Sequence, residues 1–200
     1  MDSDQLKELF ANLPELKPKC KWDEHRLELR KTVENSKDCA NFLRWSTIQA
    51  TMFVGDAPYI RPEYDALDEA GEYWPTAIKD PGFGNPYLLP YADYTSGNYV
   101  HQAYHLKQWV DVTGLRPESL SHVIEIGPGY GALTVIMTRM GFRGHYLHRD
   151  FPEMDLLRTY YLDNTLVIPR TSDNGNKIRH FMFVAICSLS EIPLHDRNRS

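Results

Sequence analysis

Apolar residues repeat at helical spacing along the first half of the chain. In residues 1–13 they fall on one face of a helix that Asp2 or Ser3 would cap, and this face comprises Leu6, Leu9, Phe10 and Leu13. The same spacing predicts further helices over 22–35, 37–53 and about 62–70. Apart from that last helix, residues 54–95 are irregular and rich in tyrosine and proline. We therefore interpret residues 1–95 as a helical cap followed by a loop region.

The second half of the chain alternates short β-branched runs with amphipathic segments. The pattern predicts helices over 100–112, 131–140 and 152–162, and strands over 122–126, 144–149, 166–169 and 181–186. The last of these strands is continuously apolar, as is typical of a buried parallel strand. Such alternation indicates βαβ units and a parallel sheet. The predicted fold class is α/β, with a Rossmann-like domain over 96–200.

Composition and charge limit the classes of protein to which this chain can belong. The net charge is −5 and the hydrophobic fraction is 42%, which favours a globular domain without a nucleic-acid or membrane partner. The three cysteines are far apart and suit a reducing compartment. The polar N-terminus does not resemble a signal peptide, and the longest apolar run is too short to cross a bilayer. We expect a cytoplasmic protein.

A glycine turn follows the first predicted strand. Gly127, Gly129 and Ala132 match a dinucleotide-binding pattern, whereas Gly127, Gly129 and Gly131 behind Glu125 match the first motif of class I methyltransferases. The second pattern suits S-adenosyl-L-methionine (SAM), because its sulfonium and amino groups are cationic and it has no phosphate. A carboxylate at the turn would repel a pyrophosphate. We therefore predict SAM as the cofactor.

Two further places in the chain carry polar groups that suit this cofactor. Asp150 ends the second predicted strand, where an acid can accept hydrogen bonds from both ribose hydroxyls, or cap the helix beginning at Pro152. Ser188 and Glu191 follow the fourth predicted strand, and ligands of open α/β sheets bind beyond the carboxyl ends of strands. We expect Ser188 to contact the cofactor and Glu191 to act as a base, although Glu191 could also be a metal ligand and is equally suited to capping a helix.

His101 and His105 lie four residues apart on the helix that precedes the first strand. Such a pair can bind a metal ion, or it can be an ordinary pair of surface or pocket residues. No third ligand is evident from the sequence, so we predict no metal site. Histidine is the usual general base near neutral pH, which makes His105 a candidate catalytic residue, with His101 as an alternative.

Four short segments in the second half of the chain follow one another in a characteristic order. They are residues 96–100 with 102–106, 125–131, 150–154 with 160–162, and 188–191 with Pro193. Together they resemble the sugar O-methyltransferase family of class I SAM-dependent enzymes, over about residues 95–195. The resemblance implies that the three glycines pass beneath SAM, that Glu125 lies near its methionine end and that Asp150 holds its ribose. It also implies that Tyr99 and Gln102 approach the cofactor from the side.

The chain departs from that family in two respects. Some residues differ: His148 and Arg149 replace an apolar pair before the acid, His180 and Phe181 stand where an acid is usual, and Cys187 replaces an aromatic residue. In addition, the family resembles a seven-stranded sheet ordered 3-2-1-4-5-7-6, whereas this sequence ends soon after the fourth predicted strand. That strand would then be an apolar edge, to be covered by the N-terminal helices or a second copy of the chain. We expect a truncated sheet.

The predicted function is methyl transfer from SAM to a hydroxyl group, with a sugar-like small molecule as acceptor. Alignment of the acceptor oxygen, methyl group and sulfur would do much of the catalytic work. One alternative is a non-catalytic or vestigial SAM-binding domain, which the missing strands favour. Another is an NAD-dependent oxidoreductase, which Glu125 and the loop at Ser188 disfavour.

Overall fold

The computed structural model describes residues 1–52, 55–165 and 180–186. Its helices and strands, in chain order, are α1 Ser3–Ala11, α2 Lys21–Asn35, α3 Ser46–Thr51, α4 Ile60–Glu69, α5 Tyr73–Ala77, α6 Gly97–Thr113, β1 His122–Ile126, α7 Ala132–Arg139, β2 His145–Arg149, α8 Pro152–Asn164 and β3 Phe181–Val184. Short 3₁₀ turns cover Phe42–Arg44 and Pro117–Ser119. The predicted strand over 166–169 lies outside the described residues.

The three described strands form a parallel sheet in the order β2-β1-β3. In the register, His122 of β1 lies opposite His145 of β2 and Phe181 of β3. Parallel neighbours require crossover connections, and α7 supplies the crossover between β1 and β2. The predicted α/β class is therefore confirmed, with helices and a parallel sheet of three strands among the described residues.

The two faces of this sheet differ in burial. On one face, Val123 and Glu125 of β1 are buried together with Tyr146, Met182 and Val184. On the other face, within the described ranges, Phe181 is 64% exposed and Phe183 is 52% exposed. The apolar run of β3 therefore packs on one side only here, whereas the sequence pattern predicted burial on both.

The N-terminal helices pack against the helices of the sheet domain. Contacts join α1 and α2 to α8, α4 to α6, and α5 to α7. Buried side chains from both halves of the chain form one hydrophobic core, and four tyrosines, Tyr99, Tyr130, Tyr146 and Tyr161, are among its largest members. The abundance of tyrosine is thus explained in part by the core.

A cluster of ion pairs connects α2 to α8. The Glu153 carboxylate is fully buried at the start of α8 and accepts hydrogen bonds from Arg26 Nε at 2.8 Å and Arg30 Nε at 2.7 Å. Arg26 also donates to Asp23 at 2.8 Å, and its guanidinium lies 4.6 Å from the centroid of the Phe151 ring. All three charged groups of this contact, Glu153, Arg26 and Arg30, are therefore paired, as burial of ionic groups requires.

Most predicted helices are confirmed, but the single helix expected over 37–53 is wrong. Trp45 is extended, with φ −67° and ψ 138°, and it separates a 3₁₀ turn from the short α3. The backbone N–H of Leu43 donates to Gly84 at 3.0 Å, and Arg44 Nη2 donates to the Pro86 carbonyl at 3.0 Å. Because these partners come from the distant loop, tertiary hydrogen bonds replace the helical ones. The short α5 was also missed, since Pro75 stands inside it.

Gly97, the first residue of α6, is expected to tolerate no side chain. A Cβ atom built there would overlap the carbonyl oxygen of Gly55. We expect Gly97→Ala to destabilise the protein by about 1–3 kcal/mol, the usual cost of overpacking. Urea unfolding measures this loss. An alanine at an unobstructed helical position would instead stabilise the fold, so an unchanged or raised unfolding free energy would contradict the close approach of Gly55.

Candidate cofactor site at the glycine turn

The glycine turn connects the carboxyl end of the central strand β1 to α7. Gly127, Gly129 and Gly131 have φ values of +66°, +55° and +95°, in the left-handed region that favours glycine. The N–H of Gly127 donates to the Arg149 carbonyl at 2.9 Å, which holds the turn beside the end of β2. Gly127 is also exposed. The turn therefore exposes backbone atoms without side chains at the carboxyl ends of the strands, where open α/β folds bind ligands.

Asp150 closes over this turn from the neighbouring strand. Its Oδ2 accepts a hydrogen bond from the N–H of Gly129 at 3.2 Å, and its Oδ1 accepts one from the N–H of Phe151 at 2.8 Å. The N-cap residue of α8 is Phe151, and no side chain caps that end. Burial raises the pKa of Asp150 to about 6. The sequence predicted two roles for Asp150, ribose binding and capping of α8. Asp150 does not cap α8, and its carboxyl group lies at the glycine turn.

Glu125 lies on the covered face of the sheet. Its side chain is buried, and the hydroxyl of Tyr146 donates to Glu125 Oε2 at 2.7 Å. Burial raises the pKa of Glu125 to about 7. The carboxyl group is therefore held inside the core by a neighbour on β2, and its ionisation is finely balanced near neutral pH.

Two residues that the sequence analysis missed lie against the glycine turn. A Cβ atom at Gly131 would lie 3.0 Å from Cγ of Arg158, and one at Gly129 would lie 3.3 Å from Sδ of Met52. Arg158 is buried, donates to Asp155 at 2.6 Å, and has no hydrogen-bond partner for Nη1 among the described residues. Its charge favours ionisation of both acids at the site, Glu125 and Asp150. No local pattern in α8 or α3 distinguishes these residues.

The two departures from the family pattern before Asp150 have different surroundings. His148 lies on the same face as Tyr146, stacks on its ring at 4.6 Å, and its Nε2 is 2.8 Å from Thr134 Oγ1. Burial lowers the pKa of His148 to about 3, so this histidine is neutral at physiological pH. Arg149 is exposed. His148 therefore places no positive charge in the core beside Asp150.

The three predicted site residues of α6 differ in their environment. Tyr99 is fully buried, with its hydroxyl 2.6 Å from that of Tyr161. Gln102 is partly exposed, and its buried Oε1 has no hydrogen-bond partner within the described ranges. His105 borders a cavity of about 150 Å³ that Leu133 and residues 182–186 also line. Of these three residues, His105 is exposed to solvent, whereas the unpartnered Oε1 of Gln102 is buried.

Ser188 and Glu191 lie outside the described residues, so their predicted roles stay predictions. Among the residues that the structure describes, no group of three or more histidine, cysteine, aspartate and glutamate side chains is arranged to hold a metal ion. No described helix has both the length and the apolar character needed to cross a membrane. Comparisons with protein families, with curated proteins and with solved structures find no match for this chain.

Proposed function

We propose that this chain binds SAM at the glycine turn and transfers its methyl group to a hydroxyl of a sugar-like small molecule. The observation that carries the proposal is the contact between Gly129 and Asp150. It brings a carboxyl group from the end of β2 onto a left-handed turn at the end of the central strand. That combination is how nucleoside cofactors are held in Rossmann-like folds.

The residues around the turn suit SAM better than a dinucleotide. Gly127 leaves the backbone exposed, and Asp150 offers carboxylate oxygens as acceptors for ribose hydroxyls. The carboxyl group of Asp150 at the turn would disfavour a pyrophosphate, whereas Glu125 lies buried behind the turn. Met52 lies against Gly129, so a ligand would share this surface with its thioether or displace it.

When bound, SAM would supply an electrophilic methyl group. The protein would orient the acceptor and take the proton of its hydroxyl group, and His105 and Glu191 are the predicted bases. His105 is supported by its position, since it borders the cavity beside the carboxyl end of β3. In a parallel sheet that end is the one on which the glycine turn also lies.

Calorimetric titration with S-adenosylhomocysteine tests the proposal. We expect micromolar binding that Asp150→Ala weakens at least tenfold, which is about 1.4 kcal/mol. Asp150→Asn keeps an acceptor for the Gly129 N–H and removes the charge, so it separates ribose binding from support of the turn. Asp111→Asn, an exposed change on α6, is the control.

Three outcomes would count against the proposal, two from this titration and one from a turnover assay. If the folded wild-type protein does not bind S-adenosylhomocysteine, the methyltransferase function is wrong. If NAD⁺ binds more tightly than S-adenosylhomocysteine in the same titration, the oxidoreductase alternative is favoured. Binding without turnover of any hydroxylated acceptor would support the non-catalytic SAM-binding alternative.

A further inference from the structure

His101 and His105 are adjacent on α6, and their rings converge. The two Nε2 atoms are 3.2 Å apart, and the rings meet edge to face with centroids 4.5 Å apart. We propose that this pair binds a divalent transition-metal ion, such as Zn²⁺, Ni²⁺ or Cu²⁺, through its two Nε2 atoms. Imidazole nitrogen is a preferred ligand of these three ions.

The separation of the two nitrogens suits one shared ion. Zinc lies about 2.0–2.1 Å from histidine nitrogen in tetrahedral sites, which places two such ligands about 3.3 Å apart. The observed 3.2 Å is close to that value. The two nitrogens therefore already have the separation that one shared ion requires, and the spacing of four residues keeps them on one face of the helix.

Glu63 fixes which nitrogen of His101 is available. This carboxylate on α4 is buried, and its two oxygens lie 3.0 and 3.1 Å from Nδ1 of His101. A carboxylate can only accept, so Nδ1 of His101 carries the proton and Nε2 of the neutral ring carries the lone pair. Metal-bound histidines are commonly oriented in this way by a carboxylate behind them.

The packing of α4 against α6 keeps this arrangement in place. These two helices are in direct contact, and Glu63 projects from α4 onto His101. The ring of Tyr59, which precedes α4, lies 5.3 Å from that of His101 and borders it on another side. His105 remains exposed, so an ion can reach the pair from solvent.

The competing explanation is a simple hydrogen bond in which Nε2–H of His105 donates to Nε2 of His101. Metal binding distinguishes the two explanations, because it requires both lone pairs. As no third protein ligand is present in the described ranges, water would complete the coordination shell. The affinity order should then follow the usual series for nitrogen sites, with Cu²⁺ bound more tightly than Ni²⁺ or Zn²⁺.

Titration of the untagged chain with each metal chloride alone, in a non-coordinating buffer, tests this site. We expect one equivalent of Cu²⁺ to bind and to produce a visible absorption band typical of nitrogen ligation. His105→Ala is expected to lower the affinity at least tenfold, and Glu63→Gln by about 10–100-fold through loss of the supporting carboxylate. His25→Ala, which removes a histidine of α2, is the matched control and should bind as the wild type does.

The site would be refuted if a His101→Ala, His105→Ala double variant bound each metal as tightly as the wild type, or if the wild type bound none. Because His105 is exposed, its replacement should not unfold the protein. The proposal does not depend on SAM binding. A separate expectation rests on the proposed function: with His105 as the base of methyl transfer, Zn²⁺ bound there would occupy the lone pair that the base needs and inhibit turnover, while the titration with S-adenosylhomocysteine would be unchanged.

Discussion

Replacing Glu153 by alanine is expected to lower the unfolding free energy by about 3–5 kcal/mol, the usual cost of removing one partner of a buried ion pair. Without Glu153, the guanidinium groups of Arg26 and Arg30 lose their shared acceptor while most of their surface remains covered. Burial opposes ionisation of Glu153, but the hydrogen bonds from the two arginines outweigh it and hold its pKa below the usual value.

Urea unfolding at neutral pH measures this loss. Glu28→Ala, an exposed change on the same helix α2, is the control and should alter the unfolding free energy by less than about 0.5 kcal/mol. Glu153→Gln keeps an acceptor and should cost less than Glu153→Ala. Because the folded pKa is depressed, the stabilisation is present above the unfolded pKa and is lost as the pH falls through the folded one. A loss below 1 kcal/mol for Glu153→Ala would show that the cluster does not hold α2 to α8.

Replacing Glu125 by glutamine is expected to stabilise the protein progressively as the pH rises. The folded pKa of about 7 lies above the ordinary value of 4.5, so between these two values the folded state holds a proton that the unfolded state has lost. The wild type therefore loses stability as the pH rises through this window, by up to about 3 kcal/mol. Glutamine is neutral and still accepts the hydrogen bond from Tyr146, so the variant avoids this loss.

The measurement is the difference in unfolding free energy between variant and wild type at pH 4.5 and pH 8. Taking the difference cancels groups that titrate independently of Glu125, whereas Asp150 interacts with Glu125 and its contribution remains part of the measured difference. We expect the difference to grow by about 2–3 kcal/mol in favour of the variant. Glu34→Gln, an exposed change, is the control. A difference that stays constant with pH would mean that Glu125 titrates like a glutamate in water.

The sequence predicted the local elements of the site well. The β-branched run before Gly127, the glycines and the amphipathic segment after them gave β1, the turn and α7 nearly to their observed bounds. Asp150 was expected at the end of the second strand, and it lies there. These features follow from backbone conformation and periodicity, which are encoded over a few residues.

The parts that were not predicted depend on contacts between distant segments. The orientation of Glu125 is set by Tyr146, and the turn is flanked by Arg158 and Met52 from other helices. The histidine pair was apparent in the sequence, but its orienting carboxylate, Glu63, comes from a different helix. Spacing along the chain carries no information about such partners.

The ion-pair cluster at Glu153 also determines when the contact between α2 and α8 can form during synthesis of the chain. Its hydrogen bonds join residues 123 and 127 positions apart, so α2 leaves the ribosome long before its acidic partner does. At about 5–20 residues per second, that interval is roughly 6–25 seconds. Contacts of such long range are also the ones that slow folding. α2 can pack against α1 and α3 early, but its contact with α8 must wait until α8 has been translated, so we expect the side chains of Arg26 and Arg30 to be accessible to chaperones until then.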